Sequence, residues 1–407
     1  MQIRPIASAL WHHKGGTVLI VLQIALTLAI VCNALFIIHA RVNRLSRPSG
    51  VDEADVLALR NQWLGDHTAS QLRALMTSDL DTLRHVPGVI DAYASNAYPL
   101  GDGGWSKGVR YSVDQRSPAS STAIYFVDEQ ALATLGLKLV AGRNFRAGEI
   151  GDMGARDTLL PRVIIITRAL ADRLFPHGDA VGKQICVGTA APSTIIGVVD
   201  RMQTWIGSYS NAWAEQSTLV PFRLLTSSMV YLVRTQPGTM ERVARMGPQA
   251  LLAANPLRVI GPADVKTYAQ IRSIAYRKDR GMAILMGVVC AVLLATTAAG
   301  IVGLTSFWVA QRRRQIGVRR ALGATQADIL GYFCTENLLI SLGGVLVGTI
   351  LALALNALLV DRFEMQRLSL DYVVAGVVAL LLLGQSAVLV PAWRASRLSP
   401  VEATRMA

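Results

Sequence analysis

The sequence predicts an α-helical membrane protein with four transmembrane helices and a large α+β extracytoplasmic domain inserted between the first and second. Three observations predict this. Hydrophobic residues make up 52% of the 407 residues and charged residues only 16%, whereas soluble domains carry about 25% charge. Four runs are apolar over the roughly 20 residues that a helix needs to cross a bilayer. The long stretch between the first two runs alternates short helical and strand patterns instead.

Residues 1–16 form a short N-terminal segment, and the first span covers 17–38, interrupted only by Gln23 and Asn33. Its apolar stretch is too long for a signal-peptide core and no small-residue cleavage site follows, so it reads as an uncleaved anchor. The extracytoplasmic domain then occupies 39–280. Within it, Leu72, Leu75, Met76, Leu80 and Leu83 recur at helical spacing over 68–85. Asp66 or Thr68 is the expected N-cap, and Pro87-Gly88 the stop. Residues 89–94 read as extended. Further strands are expected at 109–113, 123–127, 162–166, 184–187, 194–199 and 229–234, with helices at 128–135, 167–174 and 241–254 and a loop at 200–218. That order suits one or two α+β lobes.

The second span, 281–311, would reach roughly 45 Å as a helix and should project beyond the hydrocarbon. A cytoplasmic segment 312–336, a third span 337–360, an extracytoplasmic loop 361–371, a fourth span 372–393 and a C-terminal tail 394–407 complete the chain. Arg312, Arg313, Arg314, Arg319 and Arg320 outnumber Asp328 and Glu336 between the second and third spans. Arg394, Arg397 and Arg405 outnumber Glu402 in the tail, while the 361–371 loop is net acidic. Positive-inside logic therefore places both termini and the Arg-rich segment in the cytoplasm. Arg41, Arg44 and Arg47 dissent at the outer end of the first span, but long domains translocate largely regardless of charge.

The formal charge of +13 is divided between two membrane faces without an aromatic-interleaved basic patch. Anionic membrane lipids and protein contacts explain it better than nucleic acid. Cys32, Cys186, Cys290 and Cys334 show no metal-ligand spacing, so no metal site is expected. Gly178-Asp-Ala-Val-Gly-Lys-Gln184 falls short of a phosphate loop, which needs one more residue between its glycines and Ser or Thr after Lys. It reads as a turn before the strand at 184–187. With no HExxH, GxSxG or carboxylate cluster, no catalytic residues are expected, and Asp128, Glu129 and Arg143 read as exposed charges on a soluble lobe.

Residues 312–324 are good helix formers with Gly317 as the interior weakness. The segment is expected to continue the second span as a rigid helix, with Ile316, Ala321 and Leu322 on one apolar face. By itself this is either a surface that meets a protein or headgroups, or a charge cluster that fixes topology. Gly344 and Gly348 form a GxxxG pair for close helix packing, within the chain or between two chains. Gln23, Asn33 and Asn356 should face other helices, because an unpaired amide in lipid is costly. Glu336 should reach the interface or pair with a nearby Arg.

Gln311-Arg-Arg-Arg-Gln-Ile-Gly-Val-Arg-Arg-Ala-Leu-Gly-Ala-Thr325 resembles the signature of FtsX-like ABC permeases. Pro391-Ala-Trp-Arg-Ala-Ser-Arg-Leu-Ser-Pro-Val-Glu-Ala403 matches that family's closing motif. Val86-Pro-Gly-Val89, Leu135-Gly-Leu-Lys-Leu-Val-Ala-Gly-Arg-Asn-Phe145, Leu174-Phe-Pro176, Val181-Gly-Lys183 and Ile196-Gly-Val-Val199 fall in the order of a MacB-type periplasmic core domain.

The resemblance implies a multi-pass protein of the bacterial inner membrane. It makes Arg312, Arg313, Arg314, Gln315, Ile316, Gly317, Arg319, Arg320, Leu322 and Gly323 an ATPase-coupling segment. Gln315 stands where the family usually has Glu, so no salt bridge from that position to a partner is expected. Because 16 residues precede the first span, ATP is expected to be bound by a separate ABC ATP-binding subunit and no cofactor by this chain. A second permease chain, identical or a paralogue, completes the implied complex. A periplasmic adaptor and an outer-membrane duct would join it in a Gram-negative cell. The implied function is mechanotransmission that drives export of a peptide, antibiotic, siderophore or lipid from the periplasmic side. The alternatives are an FtsX-type signalling regulator of a cell-wall hydrolase and a lipoprotein-extraction permease.

Overall fold

A computed structural model describes residues 14–188, 191–205, 213–363 and 367–397. Most of the expected N-terminal segment, the middle of the expected 200–218 loop, part of the 361–371 loop and residues 398–407 of the expected tail lie outside the described residues. The chain divides into two units, one made of the residues up to Leu45 and from Asp279 onward, the other Ser46–Lys278.

The first helix, α1, is Lys14–Leu45. The second unit then runs β1 (Val56–Trp63), α2 (Ala69–Arg84), β2 (Val89–Ser95), β3 (Trp105–Arg110), β4 (Ser120–Phe126), α3 (Ala131–Leu135), β5 (Leu139–Gly142) and β6 (Gly151–Gly154). It continues through β7 (Val163–Thr167), α4 (Arg168–Leu174), β8 (Gln184–Val187), β9 (Pro192–Val199), β10 (Ser217–Val220), β11 (Phe222–Leu225) and β12 (Ser228–Thr235). It closes with α5 (Met240–Ala254), β13 (Arg258–Val259), β14 (Val265–Thr267) and α6 (Tyr268–Ala275).

Two lobes result, each around its own core. In one, the antiparallel order β13-β1-β12-β2, with β14 also on β1, packs Leu57, Leu59, Trp63, Tyr231 and Val233 against Met76, Leu83, Val243 and Leu251 of α2 and α5. In the other, β5-β9-β7-β10-β4-β3-β8 is a mixed sheet whose β8 also pairs with β9, so the sheet closes on itself with β5 outside the ring. Ile124, Phe126, Ile164, Ile166, Ile195 and Leu170 fill its interior.

Most of the expected strands and helices fall on these elements. Thr68 is the cap of α2: its hydroxyl accepts from Gln71 N at 3.4 Å while Thr68 N donates to Gln71 Oε1 at 2.8 Å, a capping box. The strand expected at 109–113 ends at Arg110 instead, because Tyr111 N and Gln115 N enter a turn with Gln115 Oε1 and Ser112 O. The central strand β1 was not among the expected strands. Its apolar run is only Val56-Leu-Ala-Leu59, and Asn61 is buried through pairing rather than hydrophobicity.

In the first unit α1 is joined by α7 (Arg277–Gln311), α8 (Arg313–Ala321), α9 (Gln326–Phe363) and α10 (Leu370–Ser396). Of these, α1, α7, α9 and α10 are long and apolar enough to cross a membrane. The expected cytoplasmic segment 312–336 is not all connector, since 326–336 are the first turns of α9. Nor is the Arg-rich segment continuous with the second span. Arg312, at φ −97° and ψ 10°, separates α7 from α8.

Glycines seat α1 at the centre of the bundle. A Cβ on Gly344 would meet Ile24 Cβ at 2.8 Å, and one on Gly348 would meet Ala25 Cα at 2.9 Å, so α9 packs backbone to backbone on α1. The expected amides also turn inward. Gln23 Nε2 donates to Thr296 O of α7 at 3.0 Å, Asn33 Nδ2 to Ala352 O of α9 at 3.1 Å, and Asn356 Oδ1 accepts from Leu368 N at 2.9 Å. Arg41 pairs with Asp279 where α1 and α7 run together.

Candidate functional site

The Arg-rich segment builds its own boundaries from local hydrogen bonds. Gly323, at φ +99°, follows α8 in the left-handed conformation that ends helices. Gly323 N donates to Arg320 O and Ala324 N to Arg319 O, both at 3.1 Å, which closes a Schellman turn. Thr325 then caps α9: Asp328 N donates to Thr325 Oγ1 at 3.2 Å and Thr325 N to Asp328 Oδ2 at 3.0 Å. Leu-Gly-Ala-Thr is therefore a stop followed by a start, and it makes α8 a discrete helix.

One face of α8 is fixed to the bundle. Arg312 Nη1 donates to both carboxylate oxygens of Glu336 on α9, at 2.9 and 3.1 Å. The two side chains are 12% and 2% exposed. A carboxylate at that depth needs a cationic partner, and the short connection supplies one. Tyr332, one turn before Glu336, brings its hydroxyl to 3.5 Å from Arg312 and its ring under Arg319, 5.0 Å from the guanidinium carbon. Ile316 and Gly317 are buried, and Arg320 Nη1 donates to Ser396 O of α10 at 2.7 Å.

The opposite face is open. Arg313, Arg314 and Gln315 are exposed, as are Val318 and Leu322, the last at 83%. Ile316, Ala321 and Leu322 therefore do not share a face as expected. Leu322 lies six residues beyond Ile316, a rotation of about 240° on a helix of 3.6 residues per turn, which carries it away from the bundle. A cleft of about 130 Å³ between α8 and α9, lined by Arg312, Ile316, Asp328 and Tyr332, is well below the roughly 300 Å³ of the smallest ligand pockets. That cleft is too small to enclose a drug-sized ligand.

Sequence reasoning named the segment and Glu336 but missed Tyr332 and Ser396. Tyr332 stands at i−4 from Glu336, a spacing that could have flagged it. Ser396 contributes only a backbone oxygen, for which sequence carries no signal. The charges weighed in the outer domain do not gather into a site. Arg143 pairs with Glu149 at 2.6 Å, and this partner pulls the Glu149 carboxyl down to about 2. Asp128 is buried, not exposed as expected, accepting from Gln130 N at 3.0 Å ahead of α3; burial pushes its carboxyl up to about 6. The Gly178–Gln184 segment is a turn into β8, with Lys183 Nζ over the Phe175 ring.

Where the chain enters and leaves the second unit, one buried amide holds both passages. Gln203 Nε2 donates to Arg47 O and Pro48 O at 3.1 and 2.9 Å, and Gln203 Oε1 accepts from Tyr276 Oη at 3.0 Å. Arg272 adds a bidentate pair with Glu53.

Comparison with known proteins matches this architecture. Residues 17–246 match the model of the MacB-like periplasmic core domain, and residues 287–400 that of the FtsX-like permease C-terminal region. The chain belongs to the FtsX-like permeases with a MacB-like core domain. Four helices among the described residues that are long and apolar enough to cross a membrane, with this membership, make it a multi-pass inner-membrane protein. The macrolide export ATP-binding/permease protein MacB of Chromobacterium violaceum is 26% identical over 86% of this chain and 51% of its own length. That of Hahella chejuensis is 26% identical over 97% and 58%. The chain thus spans little more than half the length of these relatives. The periplasmic region of MacB from Actinobacillus actinomycetemcomitans gives a TM-score of 0.36 at 15% identity, over 57% of this chain and 97% of that one.

Proposed function

We propose that this FtsX-like permease is the membrane subunit of an ABC system, with α8 as the helix on which a separate ATP-binding subunit docks. The exposed face of α8 carries the reading. Arg314, Val318 and Leu322 recur every four residues along it, a basic and apolar stripe that bulk water alone would not favour. The relatives' names join an ATP-binding part and a permease in one protein, which supports an ATPase acting on this family's membrane part.

In this reading nucleotide binding draws two ATPases together, the α8 helices of two permease chains follow, and the spans pass the motion to the domain inserted between α1 and α7. The grip of Gln203 on both passages supports the last step, since motion of either reaches the same buried amide. The low burial of α7 within the chain, compared with α1, leaves surface for a second permease chain. Cargo would be handled on the outer side, as a peptide, antibiotic or other small molecule for export.

The test is Gly317→Pro, which removes a backbone donor inside α8 at a cost of about 3 kcal/mol. The full chain is purified in mild detergent, the ATP-binding subunit that accompanies it is identified by mass spectrometry, and ATP turnover is measured. The variant should insert normally while turnover loses its dependence on the permease. Wild-type turnover by a normally inserted Gly317→Pro complex would remove α8 from the coupling role.

A further inference from the structure

We infer that Arg312 and Arg320 are positioning residues that pin the two ends of α8 to α9 and α10, leaving Arg313 and Arg314 to meet the partner. The inference rests on the reading of α8 as a docking helix, and divides an arginine cluster that looks uniform in sequence.

The division follows from helical geometry and from what each guanidinium touches. Residues 312, 316 and 320 repeat every four positions and so lie along one side of α8. At one end Arg312 Nη1 is shared between both carboxylate oxygens of Glu336, nearly enclosed. In the middle Ile316 is 6% exposed. At the far end Arg320 donates to Ser396 O, one of the carbonyls left without a helical partner at the end of α10. A cation there also faces the negative end of that helix dipole. Tyr332 adds to the first anchor, with its hydroxyl near Arg312 and its ring under Arg319. Arg313 and Arg314, by contrast, stand exposed and away from the bundle.

A mechanical consequence follows. The helix is interrupted at Arg312, so α8 is not a stiff extension of α7. A push on α8 reaches α9 through Glu336 and α10 through Ser396, by side-chain contacts that link it to the third and fourth spans directly. Removing one member of the buried pair leaves the other charge without compensation, so the anchor should fail when either is neutralised.

The test is amide hydrogen exchange of α8 in the full chain, held in nanodiscs of phosphatidylethanolamine and phosphatidylglycerol without any ATP-binding subunit. Glu336→Gln should speed exchange in the first half of α8 by about tenfold or more, and Arg320→Gln should do so in the second half. Arg313→Gln and Arg314→Gln should stay near wild type but weaken retention of the ATP-binding subunit on co-purification. The exchanged pair Arg312→Glu with Glu336→Arg should restore slow exchange. Should Glu336→Gln fail to insert, Arg320→Gln and the exchanged pair still decide the matter. Wild-type exchange in the anchor variants, or equal acceleration in Arg313→Gln and Arg314→Gln, overturns the inference. Because exchange is read without the ATPase, that failure is distinct from loss of coupling in Gly317→Pro.

Discussion

Arg258 lies in a fork on Asp79, with Nη1 and Nη2 each 2.8 Å from a carboxylate oxygen and both side chains almost wholly enclosed. Tyr231 Oη donates to the same carboxylate at 2.7 Å. The pair ties β13 at the sheet edge to α2, which covers the sheet. Asp79→Asn or Arg258→Met alone should destabilise this lobe by about 3–5 kcal/mol, because each strands a buried charge or its hydrogen-bond partners. Asp79→Leu combined with Arg258→Met should recover much of the loss. Thermal unfolding and limited proteolysis of the purified chain read both, and equal losses in single and double variants would refute the pairing argument.

The glycines of α9 give a second expectation. Gly348→Leu would place carbon inside the backbone of α1 at Ala25, a clash costing about 3 kcal/mol or more. The bundle should fail to assemble and the detergent-solubilised chain should aggregate. Gly343→Leu is the control, since a Cβ there meets only Val21 Cγ2 at 3.9 Å. A well-folded Gly348→Leu monomer that had merely lost its dimer would place the seam between chains instead.

Asp128 predicts a pH dependence. Its carboxyl titrates near 6 in the fold, mainly through burial, and near 3.9 unfolded. The native state therefore binds more protons between those values, and stability falls as pH rises from about 4 to about 6. Asp128→Asn keeps an acceptor for Gln130 N and removes the charge. It should stabilise the chain by about 3 kcal/mol at pH 7 and leave it unchanged near pH 3. Equal melting temperatures for variant and wild type at pH 7 would contradict this.

Topology can be read with thiols. Cys186 is enclosed and will not serve as an outer reporter, whereas Ser117 and Leu322 are exposed. Ser117→Cys should react with a membrane-impermeant maleimide in intact spheroplasts, and Leu322→Cys only after lysis. Labelling of Leu322→Cys before lysis would invert the orientation argued from loop charge.

Part of the candidate site was legible in the sequence. The expected helix over 312–324 ran past its true end, although Gly323 and Thr325 close the end of α8 and the start of α9 through bonds within one helical turn. The charge of the segment was plain. The apolar face drawn through Ile316 and Leu322 was misplaced because a helix turns about 100° per residue and those positions diverge. The continuous helix was misplaced because nothing local in Gln311-Arg312-Arg313 announces a break.

Sequence by itself determined the spans and the position of the inserted domain. Backbone donors and acceptors have no water to bond in a bilayer, so an apolar run of about 20 residues has only the helix open to it. It also narrowed the cap of α2 to Asp66 or Thr68, of which Thr68 closes it with Gln71. Only the tertiary structure decided that Asp79 meets Arg258, that Gly348 meets Ala25 on α1, and that Arg312 and Arg320 face inward while Arg313 and Arg314 face out. Those pairings join residues many turns apart, and the energy that selects them is desolvation and close packing against the partner. It appears only when distant parts of the chain have come together.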